Sequence, residues 1–153
     1  MAPTEAEHEA PLTAVHHLEY AYRRSVGPVL GRFFAGLRER TICGIRTRAG
    51  RVLVPPAEYD PETGDATGDD FVSVGPGGAV TSWTWVSKPR PKQPLQHPFA
   101  YALVKLDGAD TPLLHAVDAL FESRMRTGMR VRPRWRSETR GEIGDIACFE
   151  PEA

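Results

Sequence analysis

The hydrophobic positions change their spacing along the chain, from a helical period near the N-terminus to short alternating runs further on. Leu30, Phe33, Phe34 and Leu37 recur at i, i+3, i+4 and i+7, which is the spacing of one face of an α-helix. Pro28 suits the first position of such a helix, because the N–H that proline lacks would have no partner there. The pattern therefore predicts an amphipathic helix that begins close to Pro28.

The apolar face of this helix has two interpretations. Burying a large apolar side chain stabilises a protein by about 1.5–3 kcal/mol, so the face is expected to be covered. It packs either on the chain's own barrel or on another protein, and the spacing alone favours neither.

Short strand-like runs separated by glycine and proline turns fill the remainder. The expected strands are 41–45, 51–54, 71–74, 79–86, 99–106, 112–117, 129–136 and 143–149, with a short helical link at 118–127. The last set, from residue 71 onward, has the number and length of strands typical of a small Greek-key barrel of the OB type. The fold class is therefore expected to be mainly β, with an OB-fold barrel preceded by an N-terminal helix and a hairpin.

The predicted organisation has three parts. Residues 1–11 are rich in Ala, Glu, Pro and Thr and are expected to form a flexible tail. The helix and the hairpin occupy 12–70, and the barrel occupies 71–153.

Length, charge and composition exclude only a few classes of function. The chain has 153 residues and a net charge of -1, which suits one domain, or one with a small appendage, and gives no reason to expect a polyanion as partner. It contains no apolar run of about 18–20 residues and no basic-then-apolar start, so we predict a cytoplasmic protein. Cys43 and Cys148 lie far apart without a C-x-x-C partner and are interpreted as buried or half-buried thiols.

No catalytic signature is present in the sequence. Ser82 lacks a Gly-x-Ser-x-Gly context, and neither cysteine adjoins a histidine. His115 is interpreted as a core or interface histidine. We predict no catalytic residue and no cofactor.

Two of the expected strands carry informative side-chain patterns. Alternation along 79–86 places Val80, Ser82, Thr84 and Val86 on one face, and Thr81, Trp83 and Trp85 on the other. Alternation along 129–136 places Arg130, Arg132, Arg134 and Arg136 on a single face. These arginines either pair with Glu138, Glu142, Asp145 and Glu150, or recognise phosphates or an acidic protein surface. Pro133 lacks a backbone donor, which predicts an edge strand.

The hairpin resembles a zinc ribbon whose ligands have been lost. Gly50, Pro55, Pro56 and Pro61 match the frame of the ribbon in the DUF35 family, which consists of small OB-fold proteins associated with acyl-CoA metabolism. The two knuckles of that ribbon correspond to 46–49 and 60–63, where all four cysteine positions are replaced. A structural zinc needs four Cys or His ligands, so we predict no metal here. One hypothesis is that Arg46 and Asp60 form a charge-assisted pair in place of the zinc.

The resemblance continues through the barrel. The motifs that are similar to DUF35 strands read GAVTSWT at 78–84, PFAYALVKLDG at 98–108 and GMRV at 128–131, and with the helix they extend the resemblance over about 18–149. The chain looks most like the forms that accompany thiolase-like steroid side-chain aldolases. A related interpretation is that it is the separated C-terminal domain of a hydratase fusion.

This resemblance implies a non-catalytic accessory subunit. The thiolase-like partner would supply the catalytic residues for retro-aldol cleavage of a hydroxyacyl-CoA, giving a ketone and a shorter acyl-CoA. The expected partner interface consists of Leu30, Phe33, Phe34, Leu37, Pro55 and Tyr59. The expected contacts to CoA or to phosphate are Lys88, Arg90, Lys92, Arg130 and Arg132.

The alternative is an OB fold that binds single-stranded nucleic acid. Trp83 and Trp85 followed by Lys88, Arg90 and Lys92 would suit base stacking with phosphate contacts. The chain is not basic overall, which argues against such a partner. An independent enzyme is a third interpretation, but it lacks a nucleophile–base pair.

Overall fold

The computed structural model describes residues 13–23 and 25–152. Within these residues the chain forms one α-helix and eight strands, divided between a three-stranded sheet and a closed five-stranded barrel. The predicted flexible tail, 1–11, lies outside the described residues. The mainly β fold class with an OB-like barrel is confirmed.

The helix α1 is Gly27–Arg38 and begins where Pro28 predicts. Its buried stripe consists of Val29, Phe33 and Leu37, at i, i+4 and i+8, while Leu30 and Phe34 flank the stripe and are partly exposed. Phe33, which is 1% exposed, and Leu37 belong to the same hydrophobic core as the barrel side chains. The helix therefore packs on its own chain along this stripe.

The small sheet contains one more strand than the predicted hairpin. β1 (Ile42–Arg46) lies between β2 (Val52–Leu53) and β3 (Phe71–Val74), and both pairings are antiparallel. β3 was expected in the barrel, and that placement is wrong. A four-residue apolar strand fits either sheet, and its partner is set by the turns at 60–70, which bring it against β1.

The barrel consists of the remaining five strands in the order β4-β5-β6-β8-β7. Their bounds are β4 Gly78–Val86, β5 Phe99–Leu106, β6 Leu113–Val117, β7 Arg130–Trp135 and β8 Ile146–Pro151. The predicted helical link between β6 and β7 is present as a 3-10 helix, Glu122–Arg124. The last strand was expected from residue 143, but Ile143–Asp145 forms another 3-10 helix and β8 follows it.

A β-bulge in β4 changes which side chains share a face. The register with β5 shifts between Val80 and Ser82, so Val80 is buried and Trp83 and Trp85 pack against the same core. The predicted opposition of Val80 and the two tryptophans is therefore wrong. One extra residue reverses the inward and outward alternation of every residue after it.

β7 is not an edge strand, contrary to the prediction from Pro133. It pairs with β8 along its length and with β4 through Arg130 and Val131. Pro133 lies beyond the short ladder with β4, so its missing N–H interrupts no pairing on that side.

Candidate functional site

The predicted ion pair between Arg46 and Asp60 is wrong. Arg46 Nε lies 3.3 Å from Asp70 Oδ2, and the Arg46 backbone N–H donates to the Asp70 carbonyl at 2.8 Å. Asp60 is 3% exposed, and its Oδ1 lies 3.4 Å from Arg51 Nη1. Arg46 lies at the end of β1 beside the entry to β3, which places its guanidinium against Asp70 instead.

Arg51 and Asp60 organise the second knuckle. The Asp60 carboxylate accepts the backbone N–H of Glu62 at 2.9 Å, and Arg51 Nη1 also reaches Glu62 Oε2 at 2.7 Å. The Gly64 N–H donates to the Asp60 carbonyl at 2.8 Å. This cluster of a guanidinium and two carboxylates contains neither thiolate nor imidazole, so the residues at the knuckles do not fit a structural zinc. Among the described residues, no group of three or more His, Cys, Asp or Glu side chains is placed to hold a metal ion.

We expect Asp60→Ala to destabilise the small sheet. The substitution removes a buried acceptor and leaves the Glu62 N–H and Arg51 with fewer partners, so the free energy of unfolding should fall by about 1–3 kcal/mol. Urea unfolding measures the loss. Glu62→Ala is the control, because the Glu62 carboxylate is exposed and its ion pair contributes at most about 1 kcal/mol. Equal losses in the two variants would contradict the organising role of Asp60.

The predicted partner interface is only partly available. Phe33 and Leu37 are buried in the core and cannot contact a partner. Leu30 and Phe34 are partly exposed. Pro55 is exposed, and Tyr59 is 61% exposed. The four accessible residues are called the docking surface below. The loop that carries Pro55 and Tyr59 adjoins the start of α1, since a Cβ built on Gly27 would lie 2.8 Å from the Glu58 carboxylate.

An apolar cleft borders the docking surface. It has a volume of about 470 Å³ and lies between α1 and the Ile143–Asp145 turn. Val26, Phe34 and Ile143 line it, and each of them keeps part of its side chain in contact with solvent. Exposed apolar area of this kind is typical of a protein interaction surface.

The predicted phosphate contacts fall into two separate groups. Lys88, Arg90 and Lys92 are exposed on the loop that follows β4. Arg130 lies opposite Ala79 in the β4–β7 ladder, near the start of β4. This position is roughly 20 Å along the strand from the loop that carries the three cations. Arg132 follows Arg130 on β7, so the two groups do not form one site along β4.

The arginine face of β7 is charge-paired. The Asp107 carboxylate accepts two hydrogen bonds from Arg130, and these bonds hold the pKa of Asp107 below its ordinary value. The ion pairs along the face are Arg130 with Asp107 and Glu152, Arg132 with Glu150, Arg134 with Asp118 and Glu150, and Arg136 with Glu142. Glu142 and Glu150 were predicted partners; Asp107, Asp118 and Glu152 were not, because no local spacing relates them to β7.

A His–Asp–Arg network was also not predicted from the sequence. His97 Nε2 lies 3.1 Å from one oxygen of Asp118, and Arg134 donates to the other oxygen at 3.0 Å. Burial raises the pKa of Asp118, but the bonds from His97 and Arg134 outweigh burial and leave that pKa below its ordinary value. Among the described residues, no hydroxyl or thiol is hydrogen-bonded to His97, so this imidazole has no nucleophile to activate.

The two cysteines and His115 are poorly suited to act as a nucleophile or as a base. Burial raises the pKa of Cys148 to about 11 and also raises the pKa of Cys43, so both remain thiols near neutral pH. His115 is buried, and this burial lowers its pKa. It packs edge-on against Phe149, as a core histidine does.

The two tryptophans that suggested base stacking are not fully exposed. Trp83 and Trp85 are partly buried and pack against the barrel core. The core therefore covers part of each ring, which leaves less of it for base stacking than on an exposed aromatic platform. No helix in the described part of the chain is long and apolar enough to span a membrane.

Comparison with a family model identifies the barrel. The model OB_ChsH2_C, described as the ChsH2 C-terminal OB-fold domain, matches residues 71–136. The match covers β3 to β7, which includes four of the five barrel strands. No curated protein matches this sequence.

Two solved structures share the fold over most of the chain. A chain of the Ltp2-ChsH2(DUF35) aldolase superposes with a TM-score of 0.61 at 22% identity, covering 84% of this chain and 98% of that one. A DUF35 family protein of unknown function from Sulfolobus solfataricus superposes with a TM-score of 0.62 at 19% identity, covering 83% and 85%. Both matches extend beyond the barrel, which alone makes up about half of this chain.

Proposed function

We propose that this chain, a member of the DUF35 family, is a non-catalytic accessory subunit of an aldolase. The observation that carries the proposal is the fold match to a chain of the Ltp2-ChsH2(DUF35) aldolase, which covers nearly all of that chain. The finer form of the proposal names a thiolase-like partner that cleaves a steroid side-chain hydroxyacyl-CoA. The barrel motifs at 78–84, 98–108 and 128–131 support this finer form through their resemblance to DUF35 strands.

The chemistry of the described residues agrees with a supporting role. Retro-aldol cleavage requires a base that removes the proton of the hydroxyl and a group that stabilises the developing carbanion. Here burial raises the pKa of both thiols and keeps them protonated, and the Asp118 carboxylate beside His97 is also bonded to Arg134, which makes that carboxylate a weaker base. We therefore assign the catalytic groups to the partner.

The docking surface is proposed as the contact with that partner. It combines Leu30 and Phe34 on α1 with Pro55 and Tyr59 on the adjoining loop. Aromatic side chains at the centre of an interface commonly carry much of its binding energy. Phe34 and Tyr59 are therefore the expected anchors.

We expect Phe34→Ala/Tyr59→Ala to weaken assembly by about tenfold or more, because two aromatic anchors are lost. The tagged chain is first used to retain its partner from the source lysate, and mass spectrometry identifies that partner. The two proteins are then co-expressed, and their dissociation constant and retro-aldol cleavage of an acyl-CoA are measured. Leu114→Ala is the control, because Leu114 is an apolar residue on β6 that is as exposed as Tyr59 and is not part of the docking surface.

Three outcomes would contradict the proposal. The first is a partner that is not an aldolase. The second is equal weakening in Leu114→Ala, which would show that the docking surface is elsewhere. The third is turnover of an acyl-CoA by this chain without a partner.

A further inference from the structure

The segment that precedes α1 exposes a large amount of apolar surface. Residues 13–23, called the N-terminal arm below, belong to no helix or strand, and every one of them is exposed. Val15 is 84% exposed, Leu18 68%, Tyr20 75% and Tyr22 79%. Side chains of these types are usually at least partly buried in a folded protein. The arm therefore presents four large apolar side chains to solvent.

The composition of the arm is unlike that of a flexible tail. Disordered segments are poor in aromatic and branched aliphatic residues, because they bury little apolar surface. The arm has two tyrosines, a leucine and a valine, and its only acidic residue and only Lys or Arg residue are Glu19 and Arg23. Exposed apolar groups clustered in this way are typical of a surface that a partner covers.

The spacing of these side chains predicts the conformation of the arm when it is covered. Leu18, Tyr20 and Tyr22 occupy alternate positions, so an extended backbone places all three on one face. Glu19 and Arg23 then lie on the opposite, polar face. In an α-helix Tyr20 would instead lie about 200° around the axis from Leu18. The alternation therefore favours a strand with one covered face.

The base of the arm adjoins the surface already proposed for the partner. Val26 is 48% exposed and lines the apolar cleft together with Phe34 and Ile143. Phe34 also belongs to the docking surface, and the loop that carries Tyr59 adjoins Gly27 at the start of α1. Apolar groups thus continue from the arm through the cleft to the docking surface. A partner that binds the docking surface has the arm beside it.

We propose that the N-terminal arm adds as a strand to an exposed sheet edge of the aldolase partner. Its backbone N–H and C=O groups pair with that edge, and Leu18, Tyr20 and Tyr22 occupy apolar pockets beside it, as in other cases of strand addition. The identity of the partner rests on the proposed function, since the docking surface is assigned there to an aldolase. Because the arm is covalently linked to the docking surface, it raises the affinity of the complex as a second, intramolecular contact.

This chain also has a strand edge of its own, at β3. Among the described residues, β3 is an outer strand of the small sheet, and it spans only Phe71–Val74. The arm is exposed along its whole length and does not pair with β3. The structure therefore favours the edge of a partner over the chain's own edge as the position of the arm.

The dissociation constant of the purified complex tests the role of the arm. Leu18→Ser/Tyr20→Ser/Tyr22→Ser should bind the aldolase at least about tenfold more weakly than the parent chain, because the anchors of the added strand are lost. His17→Ser/Glu19→Ser/Arg23→Ser is the matched control, since it changes three side chains on the opposite face of the same arm. The control should change the dissociation constant by no more than about threefold. Both variants should unfold at the same urea concentration as the parent chain, because the arm is exposed.

Hydrogen exchange of the arm amides tests the strand itself. Pairing along one edge protects alternate amides between residues 17 and 23 in the complex, whereas a helix would protect consecutive amides. In the isolated chain the same amides should exchange rapidly, because they lie outside the helix and the strands.

Several results would overturn the inference. Equal weakening in the two triple variants, or arm amides that are unprotected or consecutively protected in the complex, would each do so. Protection of the arm in the isolated monomer would place it on the chain's own surface. Self-association that the apolar variant abolishes, with unchanged aldolase binding, would make the arm a contact between copies. Failure of the proposed function is a separate outcome, because it is read from the identity of the partner that the unmodified chain retains.

Discussion

Replacement of Phe33 by alanine is expected to lower the free energy of unfolding of the isolated chain by about 3–5 kcal/mol. The Phe33 ring is 1% exposed and lies in the core that α1 shares with the barrel. Removing it leaves a cavity that the surrounding side chains fill only in part. Equilibrium unfolding in urea, followed by tryptophan fluorescence, measures the change.

Phe34→Ala is the comparison that gives this experiment its meaning. Phe34 is the next residue on the same helix and has the same side chain, but it is partly exposed and flanks the buried stripe. It should cost roughly 1 kcal/mol of stability, in proportion to the smaller apolar area that it buries. If both variants lost the same stability, the helix would not be packed on the chain as described.

Replacement of Asp145 by alanine is expected to lower the free energy of unfolding by about 3–4 kcal/mol. The Asp145 carboxylate is 1% exposed and accepts backbone N–H groups from Arg140, Gly141 and Glu142 at 2.7–3.1 Å. Alanine would leave these three donors without their acceptor. Asp145→Asn keeps one acceptor oxygen and should lose about half as much. Asp69→Ala, at an exposed carboxylate, should change stability by no more than about 0.5 kcal/mol.

The destabilisation caused by Asp145→Ala should extend to α1, because the loop that Asp145 organises is hydrogen-bonded to that helix. The Thr139 hydroxyl donates to the Arg38 carbonyl at 2.7 Å, and the Arg38 guanidinium donates to the Arg140 carbonyl at 3.0 Å. Hydrogen exchange should therefore show faster exchange in the last turn of α1 in Asp145→Ala. Faster exchange confined to the 137–145 loop would contradict this coupling.

The pH dependence of stability provides a further check on Asp145. Burial raises its pKa, but the three backbone donors outweigh burial and hold the pKa in the folded state below the ordinary value of 3.8. The unfolded state therefore binds the proton more tightly, so the stabilisation is present above about pH 4 and is lost as the pH falls through the folded-state pKa. Asp145→Ala should show a shallower loss of stability on acidification than the parent chain.

Much of the fold could be predicted from the local spacing of hydrophobic and polar residues. The helical period at 30–37 placed α1, alternating runs placed the barrel strands, and the arginines at every second position of β7 share an exposed face as expected. These features depend on residues within a few positions of one another. Their periodicity reports directly which side of an element is buried.

The candidate site was predicted less well, and the reason is the same in each case. An ion pair between Arg46 and Asp60 was predicted because both residues stand at knuckle positions of the ribbon. In the folded chain, Arg46 instead forms an ion pair with Asp70, and Asp60 forms one with Arg51. A single-residue bulge after Val80 moved the tryptophans to the core side of β4. Neither outcome leaves a signal in the local spacing of residues.

The amino-acid sequence by itself determined the class of elements, their order and the chemistry available on each. Only the tertiary structure decided that Phe33 and Leu37 face the chain's own core, that distant carboxylates neutralise the β7 arginines, and that the apolar side chains of the N-terminal arm remain exposed. Ion pairs and buried faces join residues tens of positions apart, and their geometry is fixed by barrel closure and turn conformation. Periodicity identifies the side of an element that is buried, but only packing identifies what lies against it.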